Sequence, residues 1–222
     1  MTKLGLLHTV EALPASFDAM LEDTDAEIIH VVDPTLLAGA IDHGVDDRIR
    51  ADVLGHIRGL VEDGAEAILV TCSSIGEAVE EAAAQVDVPV LRVDAPMAKQ
   101  AVQIATEGSG SRPRIAVLAT LEATLGPTGR LLERAVAAAD ADVEVTSRVV
   151  EGAVAARTAG DQARHDALVR DAIASAAADA AVVVLAQASM AAAADGLELT
   201  VPVLTSPASG VAAFKAVAGG DA

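Results

Sequence analysis

Short apolar runs alternate with longer stretches of helical periodicity from one end of the chain to the other. The runs at 4–7, 28–32, 67–70 and 88–93, and again at 115–118, 143–150, 182–185 and 201–204, are rich in Val, Ile and Leu. Several are continuous, as strands buried on both faces are. Between them, helical patterns cover about 10–21, 46–62, 77–84, 96–106, 127–139, 161–178, 188–194 and 208–217. In 46–62 the residues Ile49, Val53, Ile57, Leu60 and Val61 fall on one face, and Pro127 takes a favoured first helical position. Strands alternating with helices predict an α/β fold, with parallel sheets covered by helices on both faces.

The two halves of the pattern also match each other. LGLLHT (4–9) aligns with IAVLAT (115–120), ILVTCSSI (68–75) with VVLAQASM (183–190), and VPVLRVDAP (88–96) with VPVLTSPAS (201–209). The intervals agree as well: Thr9 to Cys72 is 63 residues and Thr120 to Gln187 is 67, while Cys72 to Pro89 is 17 and Gln187 to Pro202 is 15. Three matches in order at near-equal spacing indicate an internal duplication. The expected organisation is two similar lobes related by a pseudo-twofold axis. The first spans 1–107 plus a C-terminal helix at about 206–222, and the second spans 113–205, with 108–113 as the linker. Ligands of such sheets sit at the carboxyl ends of strands. That rule places Thr9, Cys72, Thr120 and Gln187 around one cleft.

Composition removes several function classes. The 222 residues suffice for a real core, and 52% hydrophobic content excludes a disordered chain. About 50 residues are alanine and only 1% are aromatic, so the core is built from Val, Leu, Ile and Ala. Fifteen basic against 33 acidic residues is the wrong sign for tracking phosphates, which argues against a nucleic-acid partner. The acidity fits a salt-rich or high-GC host, or simply a well-solvated surface. A single Cys excludes an internal disulfide framework, and five scattered His give no metal-ligand spacing. Glycine-rich phosphate loops are absent, so no cofactor is expected. The N-terminal segment reads as a first strand rather than a signal peptide. No run approaches the roughly 18 apolar residues of a membrane helix, which points to a cytoplasmic protein.

Cys72 carries the candidate chemistry. It follows an apolar strand and precedes a helix in Thr71-Cys72-Ser73-Ser74. A thiol there meets the positive helix end and free N–H groups, which favour thiolate, and Ser73 and Ser74 can help hold a carboxylate. The alternative is a buried structural cysteine, since Cys is among the most buried residue types.

The duplicated halves, the TCSS loop, the threonine after each half's first strand and the VPV strands resemble the aspartate/glutamate racemase superfamily. That group includes glutamate, aspartate and hydantoin racemases, maleate isomerase and arylmalonate decarboxylase. The resemblance covers essentially the whole chain. It implies cofactor-independent chemistry on a small carboxylic acid between two lobes, a thiol from each lobe on opposite faces of the substrate, and a homodimer. The first family cysteine falls on Cys72. At the second, where hydantoin-type racemases show Leu-Gly-Cys-Ala-Gly-Met, this chain has Leu185-Ala186-Gln187-Ala188-Ser189-Met190.

An amide cannot shuttle a proton near neutral pH, and two-base racemisation needs an acid on each face. Three readings follow. In the first, Cys72 pairs with another ionisable group, for which His8 at the end of the first strand is the candidate; a neutral, hydrogen-bonded His is the bland alternative. In the second, Cys72 works alone in a decarboxylase or lyase, as a one-sided proton donor or as a nucleophile attacking carbon, with Gln187 binding a carboxylate or oxyanion. In the third, the protein binds a small acid without catalysis. Thr9, Thr120, Thr124, Ala188 and Ser189 complete the expected substrate contacts. Thr128, Ser206 and Ser209 are weaker candidates, Asp33 and Asp94 read as turn residues, and His165-Asp166 reads as solvated helix surface.

Overall fold

A computed structural model describes residues 1–107 and 113–219, so the expected linker lies, but for Pro113, outside the described residues. The chain runs β1 (Thr2–His8), α1 (Leu13–Leu21), β2 (Ala26–Val32), α2 (Pro34–His43), α3 (Asp47–Glu62), β3 (Ala67–Val70), α4 (Gly76–Ala83) and β4 (Val90–Arg92). It continues through α5 (Ala95–Glu107), β5 (Arg114–Ala119), α6 (Glu122–Ala138), β6 (Glu144–Val149), α7 (Ala153–Thr158) and α8 (Gln162–Ala177). β7 (Val182–Leu185), α9 (Ala191–Ala194), β8 (Val203–Thr205) and α10 (Ser206–Ala218) complete it. Single 3-10 turns, Ser73–Ile75 and Ala188–Met190, precede α4 and α9.

The strands form two parallel four-stranded sheets of the same topology, β2-β1-β3-β4 and β6-β5-β7-β8. In each, the two central strands diverge in their next connection, which leaves a crevice at their carboxyl ends. The central strands β3 and β7 are buried at every residue, which explains their unbroken apolar sequence.

The chain divides into two compact units: residues up to Ala95 with those from Pro207 onward, and Pro96–Ser206. In the first, Ile49, Val53, Ile57 and Leu60 of α3 pack with Ile68 and Val70 on one sheet face. Phe17, Leu21, Val211 and Phe214 from α1 and α10 cover Leu4, Leu6 and Leu69 on the other. At Gly210 a Cβ would lie 2.5 Å from the Val93 carbonyl oxygen, so only glycine lets α10 lie this close to the end of β4. In the second unit, α5 and α6 pack Met97, Ala101 and Leu132 on Ile115, Val117 and Val184. Val169 and Ile173 of α8 pack on Leu118, Val183 and Leu185 across the sheet.

Four local expectations change. α5, which the sequence reading gave to the first lobe, buries Met97, Ala98, Ala101 and Ala105 in the core of the second sheet. α6 starts at Glu122, and Pro127 lies inside it, where only one backbone hydrogen bond is lost. α2 and α7 are additional helices. Asp33, read as a turn residue, is the N-cap of α2, its carboxylate accepting from the Thr35 N–H at 2.9 Å.

Candidate functional site

β3 delivers Cys72 in extended conformation (φ −119°, ψ 115°) at the start of the Ser73–Ile75 turn. Cys72 is buried in the core that also holds Val70 and Ile75. Burial, the largest effect, pushes the thiol up; the Thr9 hydroxyl, the Ser74 and Ile75 N–H groups and the Ser74 hydroxyl oppose it, and the net shift is upward. The sequence reading expected the helix end to favour thiolate. Here desolvation outweighs four donors, so Cys72 carries its proton at neutral pH. Those donors still lower the cost of a transient thiolate.

The second unit repeats this construction with a different side chain. β7 delivers Gln187 with nearly the same backbone (φ −129°, ψ 133°) ahead of the Ala188–Met190 turn. Its Oε1 accepts from the Thr120 N–H at 2.6 Å and the Thr120 hydroxyl at 2.9 Å. A backbone N–H only donates, so the amide orientation is fixed and the Nε2 group keeps two donors. The backbone agrees pair by pair: Thr71 N–H bonds Leu7 O as Ala186 N–H bonds Leu118 O, and Asp33 N–H bonds His8 O as Val150 N–H bonds Ala119 O. Thr9 and Thr120 thus do the same task in the two units, each donating its hydroxyl to the residue two past the end of its neighbouring strand.

His8 does not stand free as a second base. It is fully buried, and both ring nitrogens are engaged, Nδ1 with Thr71 Oγ1 and Nε2 with His30 Nδ1, each at 2.9 Å. Burial, reinforced by the His30 charge and partly offset by Asp18, lowers its pKa to about 4. The neutral, hydrogen-bonded histidine is therefore what the structure contains.

Among the other candidates, Ser73, Thr124 and Ser206 are buried, and Ala188 and Ser189 are half-buried in the turn after Gln187. Thr128 is fully buried on α6, and its hydroxyl has no partner among the described residues. His165, expected on the surface, is fully buried on the face of α8 that carries Val169 and Ile173, with Nδ1 2.9 Å from Asp166 Oδ1. Asp94 lies in the turn between β4 and α5, as the sequence suggests, and it does more than turn the chain. It is fully buried and pairs twice with Arg92 (Nε at 2.7 Å, one terminal nitrogen at 2.9 Å), while Glu80 takes another at 2.7 Å. The Arg92 guanidinium lies so close over Gly76 that a Cβ there would sit 2.3 Å from it, which fixes the first turn of α4 directly after the Cys72 loop. The sequence reading missed His30 and Asp18, which extend the His8 contacts outward. A lone polar residue in the apolar run Ile28-Ile29-His30-Val31-Val32 was the available signal.

Among the described residues, no helix is long and apolar enough to cross a membrane, and no cluster of His, Cys, Asp and Glu is arranged to hold a metal ion. A family model described as Asp/Glu/hydantoin racemase matches residues 7–214. No curated protein matches the sequence. Among solved structures, an aspartate racemase from Picrophilus torridus is 14% identical with a TM-score of 0.70, covering 99% of this chain and 95% of its own. An allantoin racemase from Klebsiella pneumoniae is 19% identical with a TM-score of 0.69, covering 99% and 89%. An arylmalonate decarboxylase is 20% identical with a TM-score of 0.63, covering 99% and 94%. These likenesses share the fold of both sheets.

Proposed function

The chain belongs to the Asp/Glu/hydantoin racemase family and is an enzyme of that superfamily; from that premise we propose a cofactor-independent isomerase-type reaction on a small carboxylic acid, with Cys72 as its proton-transferring side chain. The observation that carries this reading is the mirrored contact, Thr9 to the Cys72 sulfur and Thr120 to the Gln187 oxygen. Of the two side chains so placed, the thiol exchanges protons and the amide does not. With Oε1 taken by Thr120, Gln187 offers its N–H donors to a substrate carboxylate or oxyanion. The role given to Gln187 rests on its own hydrogen bonds and on the sequence symmetry.

In the proton-transfer step, the Cys72 S–H bond breaks and a C–H bond forms on one face of the planar enediolate. The resulting thiolate is held by the Thr9 and Ser74 hydroxyls and the turn N–H groups. The reverse step removes the α-proton of one enantiomer. A second reading is decarboxylation, favoured by the buried thiol's hold on its proton. There the C–C bond breaks, its electron pair forms the enediolate as carbon dioxide leaves, Cys72 protonates the carbon, and water restores the thiol.

A screen of amino acids, 2-hydroxy acids, hydantoins, maleate and malonates in heavy water separates the two. Deuterium at Cα without carbon dioxide supports isomerase-type proton transfer, and carbon dioxide release supports the second reading. Turnover that survives Cys72→Ala would overturn both.

A further inference from the structure

His8 sits one residue before Thr9, and Thr71 sits one residue before Cys72. The proposed chemistry uses the second member of each pair and leaves the first unexplained. A chain of contacts runs from Thr71 Oγ1 to His8 Nδ1 at 2.9 Å, from His8 Nε2 to His30 Nδ1 at 2.9 Å, and from His30 Nε2 to Asp18 Oδ1 at 2.8 Å. It begins at a buried hydroxyl and ends at an Asp18 side chain that is 55% exposed. The Asp18 carboxylate only accepts, so His30 Nε2 carries a hydrogen. In the arrangement where His30 Nδ1 accepts from His8 Nε2–H, His8 Nδ1 accepts the one Thr71 hydroxyl hydrogen at 2.9 Å in preference to the longer Thr71 contact with Leu7 O at 3.3 Å. One tautomer of each ring satisfies every link. Phe17 closes the site, edge-on to the His8 ring at 5.5 Å between centroids.

The two sides of the sheet are distinct here. Leu7, Val70 and Cys72 belong to the core on the α3 face, whereas Leu6, Leu69 and Phe17 belong to the opposite core. Strand alternation puts His8 and Thr71 with the latter, behind the Cys72 sulfur. The imidazole therefore joins the ends of β1 and β3 from behind, while Thr9 and the thiol meet in front.

We infer that His8 is a positioning residue: by bonding Thr71 and being anchored through His30 to Asp18, it fixes the ends of β1 and β3 and so holds the Thr9 hydroxyl on the Cys72 sulfur. The consequence for turnover rests on the reading of Cys72 above, but the geometry can be tested on the thiol itself. The chain has no Trp or Tyr and a single Cys, so thiolate absorbance in the ultraviolet titrates Cys72 alone. Losing one donor to a thiolate raises its midpoint by about one pH unit, the expected result for Thr9→Val. His8→Phe, which keeps the ring volume and removes both hydrogen bonds, should raise it as much. The double variant should then show no further shift, because the two changes remove one interaction. His8→Asn, whose Oδ1 still accepts from Thr71, should restore most of the wild-type midpoint.

An unchanged midpoint in His8→Phe, or shifts that add in the double variant, overturns the inference. Should His8→Phe fail to fold, Asp18→Ala decides: its side chain is largely solvated, and the inference requires a smaller upward shift. An unmoved midpoint there overturns it equally. If these shifts hold while Cys72→Ala keeps full turnover, the functional reading fails and the positioning role stands.

Discussion

Acidification from pH 7 to pH 4 probes the energetic cost of burying His8. Its folded pKa is about 4 against an ordinary 6.5, chiefly because burial disfavours the cation and secondly because His30 repels it, with Asp18 pulling the other way. In the unfolded chain the imidazole returns to its ordinary value. Between pH 6.5 and 4 the unfolded state binds a proton that the folded state refuses, so stability falls as pH falls. The contribution is complete above 6.5, is reduced by about 2 kcal/mol at pH 5 and by about 3 kcal/mol at pH 4, and changes little below that. The carboxylates of Asp23, Asp33, Asp46 and Asp166 are held below their ordinary 3.8, so most of their loss falls below about pH 4 and is shared by wild type and a His8 variant. Urea unfolding of wild type and His8→Asn at pH 7, 6, 5 and 4.5 should show wild type losing about 2 kcal/mol more than the variant by pH 5. The His8 ring resonances should stay at neutral-imidazole positions down to that pH. Equal pH dependence in the two proteins, or an His8 resonance titrating near 6.5, would refute the reasoning.

Other outcomes follow from the same geometry. Because burial raises the Cys72 thiol, iodoacetamide should alkylate the folded protein slowly at pH 7 and faster only above the ordinary thiol range; rapid reaction below pH 7 would contradict the net upward shift. Gln187→Cys should convert one-sided proton exchange into interconversion of enantiomers, read by chiral chromatography, whereas Cys72→Ala should lower turnover by about a hundredfold or more. Gly210→Ala should destabilise the first unit by about 1–3 kcal/mol in thermal unfolding, since the new methyl meets the Val93 backbone at 2.5 Å; an unchanged melting temperature would show that α10 shifts freely.

Periodicity and duplication made most of the fold legible. Eight apolar runs mark the eight strands among the described residues, most plainly the central ones, which are buried on both faces and tolerate few polar residues. Matched spacing made the correspondence of Thr9 and Cys72 with Thr120 and Gln187 legible, while the contact each threonine makes within its own unit comes from the folded register. What escaped was decided by tertiary packing. α5 follows a first-half strand in sequence, but its Met97, Ala101 and Ala105 find their apolar partners on the second sheet. His165 stands between charged Arg164 and Asp166 and so reads as the solvated face of an amphipathic helix, yet it shares a face with Val169 and Ile173. The state of the thiol was misjudged because sequence shows the donors of a helix end and not how completely water is removed from the sulfur. His8 was visible as a residue, but its partners His30 and Asp18 come from β2 and α1, and only the folded register joins them.

The Thr120 contact with Gln187 works as a socket with one specification. It presents an N–H and an O–H to whatever side chain follows β7, and so selects for something that accepts hydrogen bonds. It places no demand on whether that group can release a proton. Thiol, amide and carboxylate all meet the specification, as Cys72 does opposite Thr9 in the first unit. Under the proposed function, a change of one residue at 187 would exchange the type of reaction while the strand end, the turn and the sheet beneath it keep their form.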